Sequence, residues 1–222
     1  MALWTADRIV VAVDSKSIWS DRRGERIEQR CKIRQTDGFF YAVAGFDAET
    51  GTRFAVRSIA EQAARFPGAI TQKVAEFGRL IETPLRRALE NIRATTPPVY
   101  EDTISNKGGH ALDIVFFGIE NGTFFLFVRR FGTRDFRNEN HDAIFPGSGQ
   151  VFMGEHEAIN RFVLANPRWT EMGLVPAALK LLELQIQATP NTVGPPVNIL
   201  VVDRNGPRWA FQPQGCPEIG HP

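Results

Sequence analysis

Two residues of opposite charge stand at the ends of apolar runs and could act together. Asp14 closes the run RIVVAVD (8–14), and Lys32 opens the strand pattern that follows Cys31. A carboxylate or an ammonium buried alone is costly, so each must be paired or put to use. The plainest reading is a structural ion pair, and the sharper one is a pair that sets the charge of a reactive site. A second run, FFYAVA (39–44), follows the turn Asp37-Gly38 and ends on Gly45. These runs are rich in Val, Ile and Phe and bounded by turn signals, which predicts strands covered on both faces.

Composition narrows the classes of function. The chain has 222 residues, 43% hydrophobic and 23% charged, which is ordinary for a globular protein. A net charge of +1 leaves no electrostatic footprint for nucleic acid or an anionic membrane. Phe124 to Phe131, with Arg129-Arg130, reads as an alternating core strand with solvated arginines, not a single-strand-binding face. No stretch is long and apolar enough to span a bilayer. Met1-Ala-Leu-Trp lacks the basic region and apolar core of a signal peptide. A soluble chain is expected, cytoplasmic unless a leader has been removed.

Metal and cofactor chemistry find no support in the spacing. Cys31 and Cys216 are too few and too far apart for a zinc site. Cys31 reads as a buried thiol, with one disulfide left open. His110, His141 and His156 lack ligand spacing. Gly147-Ser148-Gly149 is too short for a phosphate loop and lacks the following lysine. No cofactor and no metal are expected.

The elements that position these residues follow from periodicity. Residues 2–4 and 8–14 predict one hairpin, and 32–35 with 39–44 a second. Residues 15–29 read as a polar link. Helical patterning covers 49–66 and then 69–94, where Pro84 predicts a kink or break. Residues 100–110 read as a polar loop. Residues 111–119 and 123–131 form a hairpin around Asn121-Gly122. A loop at 138–142 and a short strand at 143–145 lead into Pro146-Gly147-Ser148-Gly149. Helices follow at 153–166 and 174–189, a loop at 190–196, and strands at 197–202 and 208–212. Helices grouped in pairs between antiparallel strands argue against a parallel sheet. The order predicts an α+β, four-layer αββα sandwich. It is one domain over 1–213, with a loose tail at 214–222.

Several local motifs, in this order, resemble those of the proteasome-type Ntn hydrolases, the proteasome subunits and the related bacterial ATP-dependent peptidase. Val11-Ala12-Val13-Asp14-Ser15 is similar to the family's "VLAADSR" run. Lys32-Ile33-Arg34 is similar to its lysine strand, and Ala42-Val43-Ala44-Gly45 to the strand end where a glycine contributes an oxyanion-hole N–H. Residues 143–149 (AIFPGSG) resemble its "AIGSG" turn. Val197-Asn198-Ile199 and 203–206 resemble its last hairpin.

The resemblance implies an N-terminal Thr, Ser or Cys nucleophile whose own α-amine is the general base. It assigns Asp14 to orient Lys32, Lys32 to lower the nucleophile's pKa, Gly45 to donate an oxyanion-hole N–H, and Ser148 to stand near the amine. Structural readings stand beside these: a strand-end turn for Gly45 and a helix N-cap for Ser148. The resemblance also implies a peptide or amide substrate and a homo-oligomer.

Three departures qualify it. Met1-Ala2 supplies no nucleophile, and the family's spacing puts that residue about three positions before Met1. Thr5 falls in the first hairpin's turn. Pro190-Asn191-Thr192-Val193 lacks the family's second aspartate and serine. Two functions therefore compete: an amide hydrolase completed by an upstream nucleophile, and a non-catalytic proteasome-like structural or binding subunit.

Overall fold

The computed structural model describes residues 1–21, 24–107, 110–132, 138–143, 147–212, 216 and 218–219. Strands β1 (Ala2–Thr5) and β2 (Arg8–Asp14) form the expected first hairpin. The expected polar link is instead a hairpin, β3 (Lys16–Asp21) and β4 (Gly24–Gln29), which among the described residues pair only with each other. It escapes a core-based pattern because cross-strand contacts stabilise it. Ile18 lies opposite Ile27, and the Trp19 indole N–H donates to Glu28 at 3.1 Å. The Arg30 guanidinium sits 4.6 Å over the Trp19 ring.

Strands β5 (Ile33–Thr36) and β6 (Phe39–Gly45) form the next expected hairpin. A two-residue ladder, β7 (Ala48–Glu49) with β8 (Phe54–Ala55), replaces the first helical turns expected from residue 49. The Glu49 carboxylate accepts from the Gly51 and Thr52 N–H groups, which closes that turn. Helix α1 is therefore short, Val56–Ala64. Helix α2, Ile70–Thr95, runs through Pro84 without interruption. Phe77, Ile81 and Leu85 flank that site and are fully buried, so packing outweighs the lost backbone hydrogen bond.

Helix α3 (Pro97–Thr103) occupies part of the expected polar loop and starts on proline, whose fixed φ suits a first turn. Strands β9 (His110–Glu120) and β10 (Thr123–Gly132) meet at Asn121-Gly122, both with positive φ. Strand β11 (Asn138–Ala143) pairs with β10 where a loop was expected. Residues 144–145 of the short strand expected after it lie outside the described residues. Strand β12 (Gly149–Val151) pairs with β1. Helices α4 (Glu157–Ala165) and α5 (Leu174–Ala188) precede the closing hairpin, β13 (Val197–Asp203) and β14 (Gly206–Phe211).

The architecture is mixed α+β with antiparallel sheets and, among the described residues, five α-helices. One five-stranded sheet has the order β12-β1-β2-β13-β14, and the other β11-β10-β9-β6-β5. Along β2, Ile9, Val11 and Val13 join one core cluster, and Val10 and Ala12 another. Along β9, Val115 and Phe117 share the first of these clusters, and Ile114 and Phe116 pack with residues of α1 and α2. The helix-side cluster of β2 includes Ala177, Ala178, Leu181 and Leu182 of α5. Both faces of the central strands are thus buried, which is why they read as unbroken apolar runs.

A disulfide corrects the reading of Cys31 as a free thiol. Cys31 and Cys216 are bonded, with Cα atoms 5.0 Å apart across a sequence separation of 185. Cys216 and Ile219 pack against the cluster shared by the two sheets. At Cys216 the expected loose tail is therefore tied down. Sequence spacing could not show this, because the two cysteines meet only when the sheets stack.

Candidate functional site

The two charged residues singled out in the sequence do meet. Lys32 Nζ donates to Asp14 Oδ1 at 2.8 Å and Oδ2 at 3.0 Å. Their side chains are 20% and 14% exposed, so the pair is sheltered but not sealed. Local chain geometry builds the acid's setting. Asp14 ends β2, and the Lys16 N–H two residues on donates to its Oδ2 at 2.9 Å, an Asx turn. The Gly194 N–H adds a longer contact of 3.4 Å from the 190–196 loop. Lys32 is set one residue before the first β5–β6 pair, Ile33–Ala42, and one residue after the disulfide.

The surroundings are buried and polar. Asn198 Nδ2 donates to Ser15 Oγ at 2.7 Å, and both residues are almost fully buried. The Arg30 N–H donates to the Ser15 carbonyl at 2.9 Å. On the chain's first residue, the Met1 amine donates to the Ala12 carbonyl at 2.8 Å, and Ala12 N–H returns a bond to the Met1 carbonyl at 3.0 Å. Burial pushes that amine down from 8.0 to about 6. Asp14 and Asp113 pull it up, and Lys32 pushes it down, so all three charges act on one point.

Asp113 is a site residue that no motif in the sequence marks, a single charge within the apolar run 111–119. It lies in β9 opposite Ala44, the residue before Gly45. Its Oδ2 accepts the Gly154 N–H at 3.2 Å. Its Oδ1 is 3.8 Å from Arg130 Nε, and neither atom has a hydrogen bond among the described residues. Arg130 Nη2 donates instead to the Phe152 carbonyl at 3.1 Å. The two side chains thus hold the 152–154 segment between them. A charge inside an otherwise apolar strand was the available signal.

Gly45 must be glycine for a steric reason. Its φ is +96°, and a Cβ there would lie 2.5 Å from the Ala111 carbonyl oxygen. This accounts for the strand-end turn. Ser148 is exposed and lies just before β12, whose Gly149 pairs with Trp4 at the far end of β1 from Met1. The structure therefore does not bring Ser148 to the Asp14–Lys32 pair, and no helix starts there, since α4 begins at Glu157. The segment that does approach β6 is farther on, where a Cβ on Gly154 would lie 3.4 Å from that of Ala44.

Thr5, expected in the first hairpin's turn, instead ends β1 opposite Arg8, and its hydroxyl donates to Asp7 at 2.6 Å. In the 190–196 loop, the Pro190 carbonyl accepts from Lys16 Nζ at 2.7 Å, and the Thr192 hydroxyl donates to Glu155 at 3.0 Å. Among the described residues no group of His, Cys, Asp and Glu is placed to hold a metal ion. No described helix is long and apolar enough to cross a membrane.

No protein-family model matches the chain. No curated protein matches it either. Among solved structures it is similar to Anbu (ancestral beta-subunit) from Yersinia bercovieri, with a TM-score of 0.56 and 12% identity over 94% of this chain and 85% of that one. The likeness establishes a proteasome-like fold. It also corrects the resemblance drawn from sequence to proteasome subunits and the bacterial ATP-dependent peptidase, because Anbu is a proteasome-like but distinct family. Short motifs in a shared order report strand ends and turns, which related folds have in common whatever their family.

Proposed function

We propose that this chain is an Anbu-like αββα protein whose Asp14–Lys32 pair belongs to an amide-hydrolysing site. The observation that carries the reading is the held ammonium: Lys32 Nζ is bound by both oxygens of Asp14, which lies two residues beyond Ala12, the partner of Met1 across the β1–β2 ladder. The β1–β2 ladder pairs Met1 with Ala12, so a chain that extends before Met1 continues opposite Val13 and Asp14. A Ser, Thr or Cys about three positions upstream then stands beside the lysine, with its own amine as base. Lys32 favours the ionised nucleophile, Asp14 orients Lys32, and Gly45 offers its N–H to the oxyanion. Ser148 is left out of this arrangement.

The three core clusters support the four-layer reading, with α1 and α2 on one outer face and α4 and α5 on the other. One domain with a disulfide-tied tail, assembling with copies of itself, completes the proposal.

A second reading, a non-catalytic structural or binding subunit, is favoured by the 190–193 loop, whose polar groups bind Lys16 and Glu155. The N-terminal sequence of the protein from its own source separates the two. A Ser, Thr or Cys about three residues before Met1, labelled by a β-lactone probe in intact-mass analysis, supports the hydrolase. A start at Met1 or Ala2 without labelling leaves the second reading.

A further inference from the structure

A second polar site lies at edge strand β5, and Cys216, bonded to Cys31 beside Lys32, is part of its lining. The Tyr41 side chain is 1% exposed, and its hydroxyl has no hydrogen-bond partner among the described residues. Buried hydroxyls are rarely left this way, since the desolvation cost is uncompensated. Tyr41 is in the lining of an open cleft of about 650 Å³ between edge strand β5 and helix α1, with Arg34, Gln35, Asp37, Arg57, Glu61 and Cys216, and its hydroxyl lies covered at the cleft wall. Arg34 and Tyr41 are direct cross-strand partners, so they present a guanidinium and a phenol side by side. Arg57 Nε is committed to Glu61 at 2.7 Å. No carboxylate among the described residues pairs with Arg34. Burial pushes the phenol up to about 12, so it stays protonated and donates.

We propose that this cleft binds a carboxylate, with the Arg34 guanidinium on its oxygens and the Tyr41 hydroxyl donating to one of them. The fork of an arginine matches a planar carboxylate. Asp37 and Glu61 at the rim repel a doubly charged phosphate more than a singly charged carboxylate. The same two acids suit a ligand that carries an ammonium beside its carboxylate. The assignment does not depend on the proposed hydrolase site.

The chain contains two tyrosines, Tyr41 and Tyr100, so ring-carbon labelling gives two NMR signals with a built-in control. The whole chain is titrated separately with acetate, a short neutral peptide, the C-terminal amide of that peptide, and inorganic phosphate. Acetate and the free-acid peptide are expected to shift the Tyr41 signal saturably and leave Tyr100 in place, while the amide has no effect. Tighter binding of the peptide than of acetate assigns the site to peptide C-termini, and equal binding to small carboxylates. Arg34→Gln is expected to weaken binding about tenfold or more. Glu61→Gln, which removes a repelling charge, is expected to strengthen it and keeps the test readable should Arg34→Gln not fold. An unmoved Tyr41 signal, phosphate binding tighter than acetate, or a folded Arg34→Gln with unchanged affinity overturns the proposal.

Discussion

Two acid–base pairs occupy the same protein, and they are held in opposite ways. Asp14–Lys32 and Asp113–Arg130 are similarly sheltered, with side-chain exposures of 14% and 20% against 10% and 25%. The first is closed: both Asp14 oxygens take Lys32, and backbone N–H groups of Lys16 and Gly194 complete the shell. The second is open: Asp113 Oδ1 and Arg130 Nε face each other at 3.8 Å without a hydrogen bond, and each side chain grips the 152–154 backbone instead. The difference teaches that the first pair fixes a charge and the second fixes a loop.

Breaking the closed pair gives the largest effect. Lys32→Met leaves Asp14 sheltered with only backbone donors, and is expected to cost about 3–5 kcal/mol in urea unfolding. It also abolishes any amide hydrolysis. A loss below about 1 kcal/mol shows that the pair is no more than a surface bridge. Next comes the disulfide beside Lys32. Cys31→Ala with Cys216→Ala opens a link spanning 185 residues and is expected to cost about 2–4 kcal/mol. Unchanged stability between oxidised and reduced protein contradicts that.

The amine at the start of β1 sharpens the comparison through pH. In a chain beginning at Met1, burial lowers it from 8.0 to about 6. The unfolded chain then binds the proton more tightly, so stability rises as pH climbs from 6 to 8. It is lower by about 2–3 kcal/mol once pH falls below that window. Denaturant midpoints measured across the window check it, and acetylating the amine removes the slope. The smallest effect belongs to the open pair. Asp113→Asn keeps an acceptor for the Gly154 N–H and is expected to cost about 1–2 kcal/mol. Hydrogen exchange of residues 152–156 should rise more than that of β9, since the loop is what the acid holds. Uniform exchange in both segments contradicts a loop-specific role.

Much of this could be read from residues in order. Continuous apolar runs marked β2, β6, β9, β10 and β13, because burial on both faces removes the polar alternation. Asp37-Gly38 and Asn121-Gly122 marked hairpins, and the structure gives Gly38, Asn121 and Gly122 positive φ. Asp14 and Lys32 stood out because charges are costly at the ends of buried strands. The β3–β4 hairpin was hidden, since polar pairs and one aromatic hold it, not a core stripe. Pro84 does not break α2, because the burial of Phe77, Ile81 and Leu85 on the same helix outweighs the local propensity for a break.

The sequence by itself determined the strands buried on both faces, the turns at Asp37-Gly38 and Asn121-Gly122, and the need for Asp14 and Lys32 to be satisfied. Those depend on near neighbours and on burial, which periodicity records. Only the tertiary structure decided that Cys31 meets Cys216, that Ser148 stands away from the pair, and that Asp113 and Arg130 hold the loop after β12. It alone showed a covered, unpartnered Tyr41 hydroxyl beside Arg34 in the wall of a cleft. Each of these depends on segments far apart in the chain, and their meeting is set by how the two sheets and their helices pack.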